Sequence, residues 1–511
     1  MGVLRILLIT TAVFCANAAL AQDVDPDLLA KAEIYDDEIQ ARHVPAYGGI
    51  VDVIYNETTW DTVAFYQGQG DSTMWTSTYA VTQAFRYAVT GEEEARQNVA
   101  KAIETLQNHL LVTGRPGYVG RYVGPLADAA FWIDVAGLDW FRVGEGAWLG
   151  TFWLSNSSSD QHVGFFFAMG MVHELVDDPG VRAMIEAMVR EVIDALIDQN
   201  WFIITEEGMP STAAPNLDGA ERLAFALVAA RILGDQKYWD EYDRVFALDE
   251  PLLMISSWAL YNRYNEYFAT NLRHDNFMTL FMFEEDADRL AFYFDVFDRM
   301  TRPYVDDGHQ TFFDYVYLLG CERAGRCQNS EVLMQDGVTQ LSAFTNWPNN
   351  DIHIDPGPPP GGIDPLSQTL VDILADLPDW LVDLVGLDFD LQAADGYDMA
   401  HRCRRDYTWQ RSPYLMTCAG YLPQKLYTGS DYLMAYWLGR YTDYLNPKDI
   451  DAPPTDDDAD DDAVDDDSSE DDDTSDDDAS DDDGDGDATD DDASNADDGD
   501  DGNGSGSGCG C

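Results

Sequence analysis

Three times along the chain, apolar residues recur at helical spacing, stop at a short polar turn, and resume at the same spacing. The paired stretches are 79–89 with 92–111, 164–176 with 181–199, and 220–233 with 236–247. Their turns read Thr90-Gly91, Asp177-Asp178-Pro179-Gly180 and Gly234-Asp235. Gly91 is a helix stop, and Glu92, Glu93 and Glu94 then load the next first turn with the charge a helix dipole prefers. Each pair predicts an αα-hairpin, and a fourth turn of the same kind is expected at Glu284, Glu285 and Asp286. The connections between hairpins, such as 114–157 and 200–218, are longer and rich in Gly, Pro and aromatic residues. Tight turns at one end and long loops at the other describe a directional array. Repeat length is not constant, which counts against a stacked solenoid. The rhythm breaks over 346–395, where Pro356 to Gly362 reads as a linker and 366–387 as one or two amphipathic helices.

The two ends of the chain differ from this body. Arg5 precedes an apolar run from Ile6 to Leu20 that closes on Ala19-Leu20-Ala21, so residues 1–21 are expected to be a signal peptide with Gln22 as first mature residue. Cys15 follows Val13-Phe14, a poor lipidation context. No later apolar run approaches the length needed to span a bilayer. From 451 to 511 the chain carries runs of Asp with no Lys or Arg and ends Gly-Ser-Gly-Cys-Gly-Cys. Dense like charge and few apolar residues predict a solvated, disordered stalk. Asp483-Gly-Asp-Gly-Asp487 within it is read as a chance likeness to a calcium loop.

Without the stalk the chain still holds 66 acids against 29 bases, a net charge of −37. Only five of the bases are Lys. Such a surface resembles adaptation to saline surroundings, repels nucleic acid and steers neutral or cationic ligands. Four cysteines in the body, Cys321, Cys327, Cys403 and Cys418, predict two disulfides in an exported chain. They allow three pairings, of which nearness favours Cys321 with Cys327 and Cys403 with Cys418. Zinc spacing, GxSxG, HExxH and a phosphate loop are absent from the sequence, and no metal or cofactor is expected.

The hairpin rhythm, together with the phrases Asp71-Ser-Thr-Met-Trp75-Thr-Ser-Thr-Tyr79 and Gly429-Ser-Asp431-Tyr432 through Tyr441, resembles the α/α toroid. This ring of six helical hairpins is used by many glycoside hydrolases, polysaccharide lyases and sugar epimerases. The resemblance is best over 60–300 and extends to 445. It implies an all-α domain over 22–450 with long loops on one face, and a substrate cleft where the inner helices begin. The stalk in turn resembles the opening of myxobacterial-type sorting tails, which implies surface attachment through Cys509 or Cys511 of an exported protein.

At the expected openings, Asp71, Trp75 and Tyr79 share one helical face, a carboxylate beside aromatics that suits a sugar ring. The plainer alternative is that Asp71 caps the helix and both aromatics are core. The second opening offers Asp160, Gln161 and His162, the third Asp218, Glu221 and Arg222, and the fourth His274, Asp275 and Asn276. Glu221 and Arg222 are equally readable as pairing with neighbouring helices. Arg121 on a long loop is a candidate substrate clamp, and Trp409 and Arg411 candidate cleft walls. Hydrolysis of a glycosidic bond needs two carboxyl groups, for which Asp71, Asp160 and Asp275 are the candidates. Lyase or epimerase chemistry would instead use His162, His274 or Tyr79 as base and Arg121 to neutralise an acid group. A non-catalytic surface protein that binds glycans or proteins is the competing class. Because like charges dominate the body, its melting temperature is expected to rise by about 5 °C between dilute buffer and molar NaCl, read by circular dichroism; an unchanged or falling value contradicts the saline reading.

Overall fold

The computed structural model describes residues 25–256, 267–328, 330–375, 390–403, 407–418 and 421–445. The expected signal peptide, the acidic stalk with Cys509 and Cys511, and most of the second half of the 346–395 insertion lie outside them.

Six helices form an inner ring: α2 (Ser72–Thr90), α4 (Ser159–Leu175), α6 (Gly219–Leu233), α8 (Tyr267–Phe283), α10 (Thr311–Arg323) and α13 (Ser430–Tyr441). Each packs on the next, and α13 packs back on α2, so the ring closes. Five outer helices follow their inner partners: α3 (Glu93–Leu111), α5 (Pro179–Asp198), α7 (Gln236–Ser256), α9 (Ala287–Met300) and α11 (Ser330–Ala343). The sixth outer helix is α1 (Pro26–Glu38), which packs against α13 from the other end of the chain. Because every outer helix returns the chain, the six inner helices are parallel and all begin at one end. The domain is therefore an α/α toroid. The four expected turns are present, with Gly91 and Gly234 in the left-handed conformation that only a residue without a Cβ adopts at little cost.

The two rings differ in sequence for a physical reason. Inner helices are enclosed on all sides, so α4 buries Phe165, Phe166 and Phe167 in succession and has no polar stripe. Outer helices face water on one side, and α3, α5 and α9 are amphipathic. The expected inner starts at 79 and 164 fall short of the observed ones, because the first turns are polar yet buried: Ser72, Thr73, Thr76, Ser77 and Thr78 are all inside.

Two small antiparallel sheets lie in the connections that precede inner helices. β3 (Tyr122–Pro125), β5 (Thr151–Leu154) and β4 (Phe141–Val143) form one, in the order β3-β5-β4. β1 (Asp52–Tyr55), β2 (Val63–Gln67) and β6 (Lys425–Leu426) form the other, with β1 central. Of the insertion, α12 (Pro365–Ala375) is described and is largely exposed. Both disulfides join neighbours in sequence, Cys321 with Cys327 and Cys403 with Cys418.

A buried polar joint holds α1 to α2. Asp36 accepts from the Tyr79 hydroxyl at 2.7 Å and Gln83 Nε2 at 2.8 Å and pairs with the Arg86 guanidinium. Desolvation raises the Asp36 pKa, opposed by these three partners. Asp36→Ala is expected to destabilise the fold by about 3 kcal/mol in urea unfolding, the lower end for a broken buried pair because Arg86 keeps Glu92 at 2.6 Å. A loss below about 1 kcal/mol would mean the joint is dispensable.

Candidate functional site

The beginnings of the inner helices gather the polar residues of the domain. A left-handed Gly68 and a single turn over Gln69–Asp71 lead into α2, placing Asp71 at its N-cap. Its side chain does not cap the helix. Instead Asp71 Oδ1 accepts from Gln161 Nε2 of α4 and lies against Arg121 Nη1, each at 3.4 Å. The side chain of Asp71 is 48% exposed. Arg121 stands where the loop enters β3, which is pinned to α2 by Thr73, whose backbone N–H donates to the Arg121 carbonyl at 3.0 Å. Its guanidinium also donates to the carbonyls of Asn156 and Gly70, both at 2.8 Å, and lies 5.3 Å from the Trp140 ring centre. Arg121 is thus committed to the protein's own groups.

The next carboxyl groups come from α4 and α6. Asp160, part-exposed in the first turn of α4, accepts from Ser159 Oγ at 3.3 Å. Asp218 and Glu221 close a reciprocal capping box on α6: Glu221 N–H donates to Asp218 Oδ1 at 2.9 Å, and Asp218 N–H to Glu221 Oε2 at 2.7 Å. Arg273 of α8 reaches Asp218 at 3.2 Å. Burial, and then the charges of Asp218 and Asp160, push the Glu221 pKa up to about 8. Glu221 therefore holds a proton at neutral pH beside two other carboxyl groups. The sequence allowed Glu221 a neighbour-helix pairing and this cap was missed, for which the Asp-x-x-Glu spacing is the available signal; the burial that raises the Glu221 pKa comes from the ring. Arg222 pairs with Asp249 at 2.6 Å, the neighbour-helix role the sequence allowed.

Deeper in the ring, Asn271 Nδ2 donates to Asp275 Oδ2 at 3.4 Å. Desolvation alone raises the Asp275 pKa well above its ordinary value, and its charge is felt by Tyr407. Tyr407 stacks on Trp75 at 4.8 Å, so Trp75, Tyr407 and Asp275 belong to one layer.

Other candidates lie apart from this arc. Tyr79 is buried and turned to Asp36. His274 stacks on Phe313 at 3.7 Å, with Nδ1 on the Thr270 carbonyl at 2.7 Å, and burial lowers its pKa to about 3. Trp409 is fully buried and donates to the Asp431 carbonyl at 2.8 Å. His162 is buried with Nδ1 on the Ser158 carbonyl at 2.9 Å, and burial lowers it to about 4. Asn276 is buried on α8, and the Arg411 carbonyl accepts from Gln310 Nε2 at 3.2 Å beside the fifth opening. Tyr79, Trp409 and His162 each keep a buried polar atom on a main-chain or side-chain partner, whereas His274 leaves Nε2 without one.

A second observation marks the same face. Ser72 Oγ, Gln161 Oε1, Asn271 Oδ1 and Thr311 Oγ1, one each from α2, α4, α8 and α10, are buried yet hydrogen-bond to nothing in the protein. Unsatisfied buried polar atoms are uncommon. Their recurrence near the beginnings of separate inner helices leaves hydrogen-bonding capacity unused at that end of the ring.

No protein-family model matches the chain, and no curated protein matches it. Among solved structures it is similar to a family 76 glycoside hydrolase (mannosidase) from Bacteroides thetaiotaomicron, at 10% identity and a TM-score of 0.42, over 81% of this chain and 99% of that one. It is similar also to a sugar epimerase from a ruminal bacterium, at 7% identity and a TM-score of 0.40, over 80% and 98%. The cellulase Cel9M of C. cellulolyticum matches at 12% identity and a TM-score of 0.40, over 82% and 98%. The closure of the inner ring defines the fold independently of these likenesses.

Glu221 binds a proton in the folded state up to about pH 8 but releases it near 4.5 when unfolded. Its contribution to stability therefore falls as pH rises between those values. Glu221→Gln keeps the capping box and removes the titration. The variant is expected to show a flatter decline of melting temperature from pH 5 to pH 8 than the parent; parallel curves would place Glu221 in a solvated setting.

Proposed function

We propose that this protein is an exported carbohydrate-active enzyme of the glycoside hydrolase type, with its cleft at the beginnings of the inner helices. The observation that carries the reading is the arc of carboxyl groups in unlike settings. Asp71 is half-exposed and faces a guanidinium, whereas Glu221 is buried and protonated at neutral pH. Two acids whose surroundings differ in this way can divide the roles of base or nucleophile and proton donor. Asp160 stands between them in the arc and is the alternative charged partner; Asp275 is a second buried carboxyl deeper in the ring, its pKa raised by desolvation. Trp75 and Tyr407 supply aromatic surface, and the unsatisfied amide and hydroxyl groups supply partners for sugar hydroxyls.

Lyase and epimerase readings are less well supported. Arg121, Arg222 and Arg273 at the openings are all paired within the protein, so none stands ready to neutralise a uronate. His162, His274 and Tyr79, the candidate bases, sit in packed or hydrogen-bonded interior positions. Export is favoured by the two disulfides. Among the described residues no helix is long and apolar enough to cross a membrane.

The test is turnover of a panel of neutral aryl glycosides and glucan or mannan oligosaccharides by the parent and by Asp71→Asn, Asp160→Asn, Glu221→Gln and Asp275→Asn. Loss of about a hundredfold or more in kcat/KM for Glu221→Gln and for one of the aspartate variants, with unchanged circular dichroism, is the expected outcome. Wild-type turnover in all four variants would refute the assignment. Saturable glycan binding by a parent that turns over nothing would make the protein a binding module.

A further inference from the structure

A cavity of about 250 Å³ opens at the opposite end of the ring from the carboxylate arc, between the last turns of α4 and α6. The indole of Trp239, near the start of α7, and the ring of Phe283, which ends α8, form its apolar side. Trp239 is only partly buried and rests edge-on against Tyr242, centroids 6.3 Å apart. The polar side is His173, Glu174 and Arg231. Arg231 is already paired with Glu285, so its charge is met. Glu174 is exposed at the rim and makes no hydrogen bond. His173 Nε2 is buried without a hydrogen-bond partner, 3.6 Å from Glu186 Oε1.

We propose that this cavity is a second carbohydrate site, sized for a single pyranose unit and separate from the cleft. The volume equals that of about eight waters at roughly 30 Å³ each, the scale of one sugar ring. Its lining is one-sided in the way a pyranose is: the C–H face of a sugar packs on an indole, and its hydroxyls then point to the rim. The rim offers an acceptor: Glu174 presents an exposed carboxylate, while His173 Nε2 is turned to Glu186 and the carbonyls of Val172, His173 and Ala230 are held by Val176 N–H, Arg182 Nε and Gly234 N–H. A neutral polyhydroxyl donor matches this acceptor, while an anion would meet Glu174 and the negative ends of two helices. The inference stands on the lining of this cavity and not on the catalytic reading of the cleft.

The experiment is titration calorimetry of the intact protein with the methyl α-pyranosides of glucose, mannose and galactose, followed by crystal soaks with the one that binds. The expected result is saturable millimolar binding of at least one, weakened about tenfold or more by Trp239→Ala and about threefold by Glu174→Gln. Should Trp239→Ala fold poorly, Glu174→Gln alters only an exposed side chain and carries the test. The cleft variant combining Asp71→Asn with Glu221→Gln is expected to keep the binding, and soaked crystals to show the sugar over Trp239. Absence of binding by all three pyranosides overturns the proposal. So does binding that both cavity variants leave intact, or that the cleft variant abolishes.

Discussion

The structure depends on enclosing helices that have no polar side. α4 and α6 are apolar around their whole circumference, and Phe166 of one stacks on Phe225 of the other with centroids 4.4 Å apart. Such helices are stable only when every flank is covered, and a ring of six with an outer ring around it achieves that. Close approach is part of the device: a Cβ on Gly164 would stand 2.9 Å from Met74 Cα, so α2 and α4 pack backbone to backbone. Enclosure also requires the gap between α13 and α11 to be filled, and the chain's own beginning fills it. Tyr432 donates to the Leu28 carbonyl at 2.8 Å, and Lys31 of α1 donates to the carbonyls of Leu341, Ser342 and Phe344 at the end of α11. A lysine at a helix C-terminus satisfies orphan carbonyls and meets the negative end of the dipole. Burial lowers the Lys31 pKa to about 8, so the folded chain holds this proton less tightly than the unfolded one.

Parallel inner helices bring six positive ends to one face, and the chemistry follows from that arrangement. Backbone N–H groups of the first turns need acceptors, which draws carboxyl, hydroxyl and amide side chains to those positions. Only some are consumed by capping. Asp218 caps α6, whereas Asp71 occupies the N-cap of α2 with its side chain engaged elsewhere. The small sheets serve this face by fixing Arg121. Asn156, whose carbonyl accepts from Arg121, adopts a left-handed φ of 51° and uses Oδ1 to accept from Ser211 Oγ and the Thr212 N–H, each at 2.9 Å. One strained asparagine thereby ties the loop before α4 to the loop before α6.

How much of this was legible depended on where apolar periodicity reports on burial. The tight turns could be read because Gly91, Gly234 and the acids of 284–286 are required by helix termination itself. The inner starts could not, since Ser72 through Thr78 are polar residues buried by a ring that local sequence does not describe. The sixth pair was hidden because its helices are α1 and α13, whose contact such as Tyr432 with Leu28 spans the chain. At the site, polarity located the openings but not the partners. Arg121 reads as a free clamp until Gly70, Asn156 and Trp140 are seen around it, and Trp409 reads as a cleft wall until its indole is found on Asp431. Glu221 reads as an opening residue or a neighbour-helix partner; its capping box and its raised pKa both emerge only with the structure.

The scarcity of bases gives the last step its direction. In this acidic body many arginines are drawn into local pairs, and those at the tight-turn end clasp successive hairpins: Arg96 to Asp178, Arg190 to Asp235, Arg231 to Glu285. Exposed pairs of this kind contribute little individually to stability. Their effect is on what remains, because arginines at the cleft end are held the same way by Asp71, Asp218 and Asp249. At the inner-helix openings the guanidinium groups of Arg121, Arg222 and Arg273 are already matched, and burial shifts Glu221 and Asp275 toward their neutral forms inside a strongly negative body. An anionic polymer would be repelled on approach and would find the described guanidinium groups at the openings already paired, whereas an uncharged sugar meets neither obstacle.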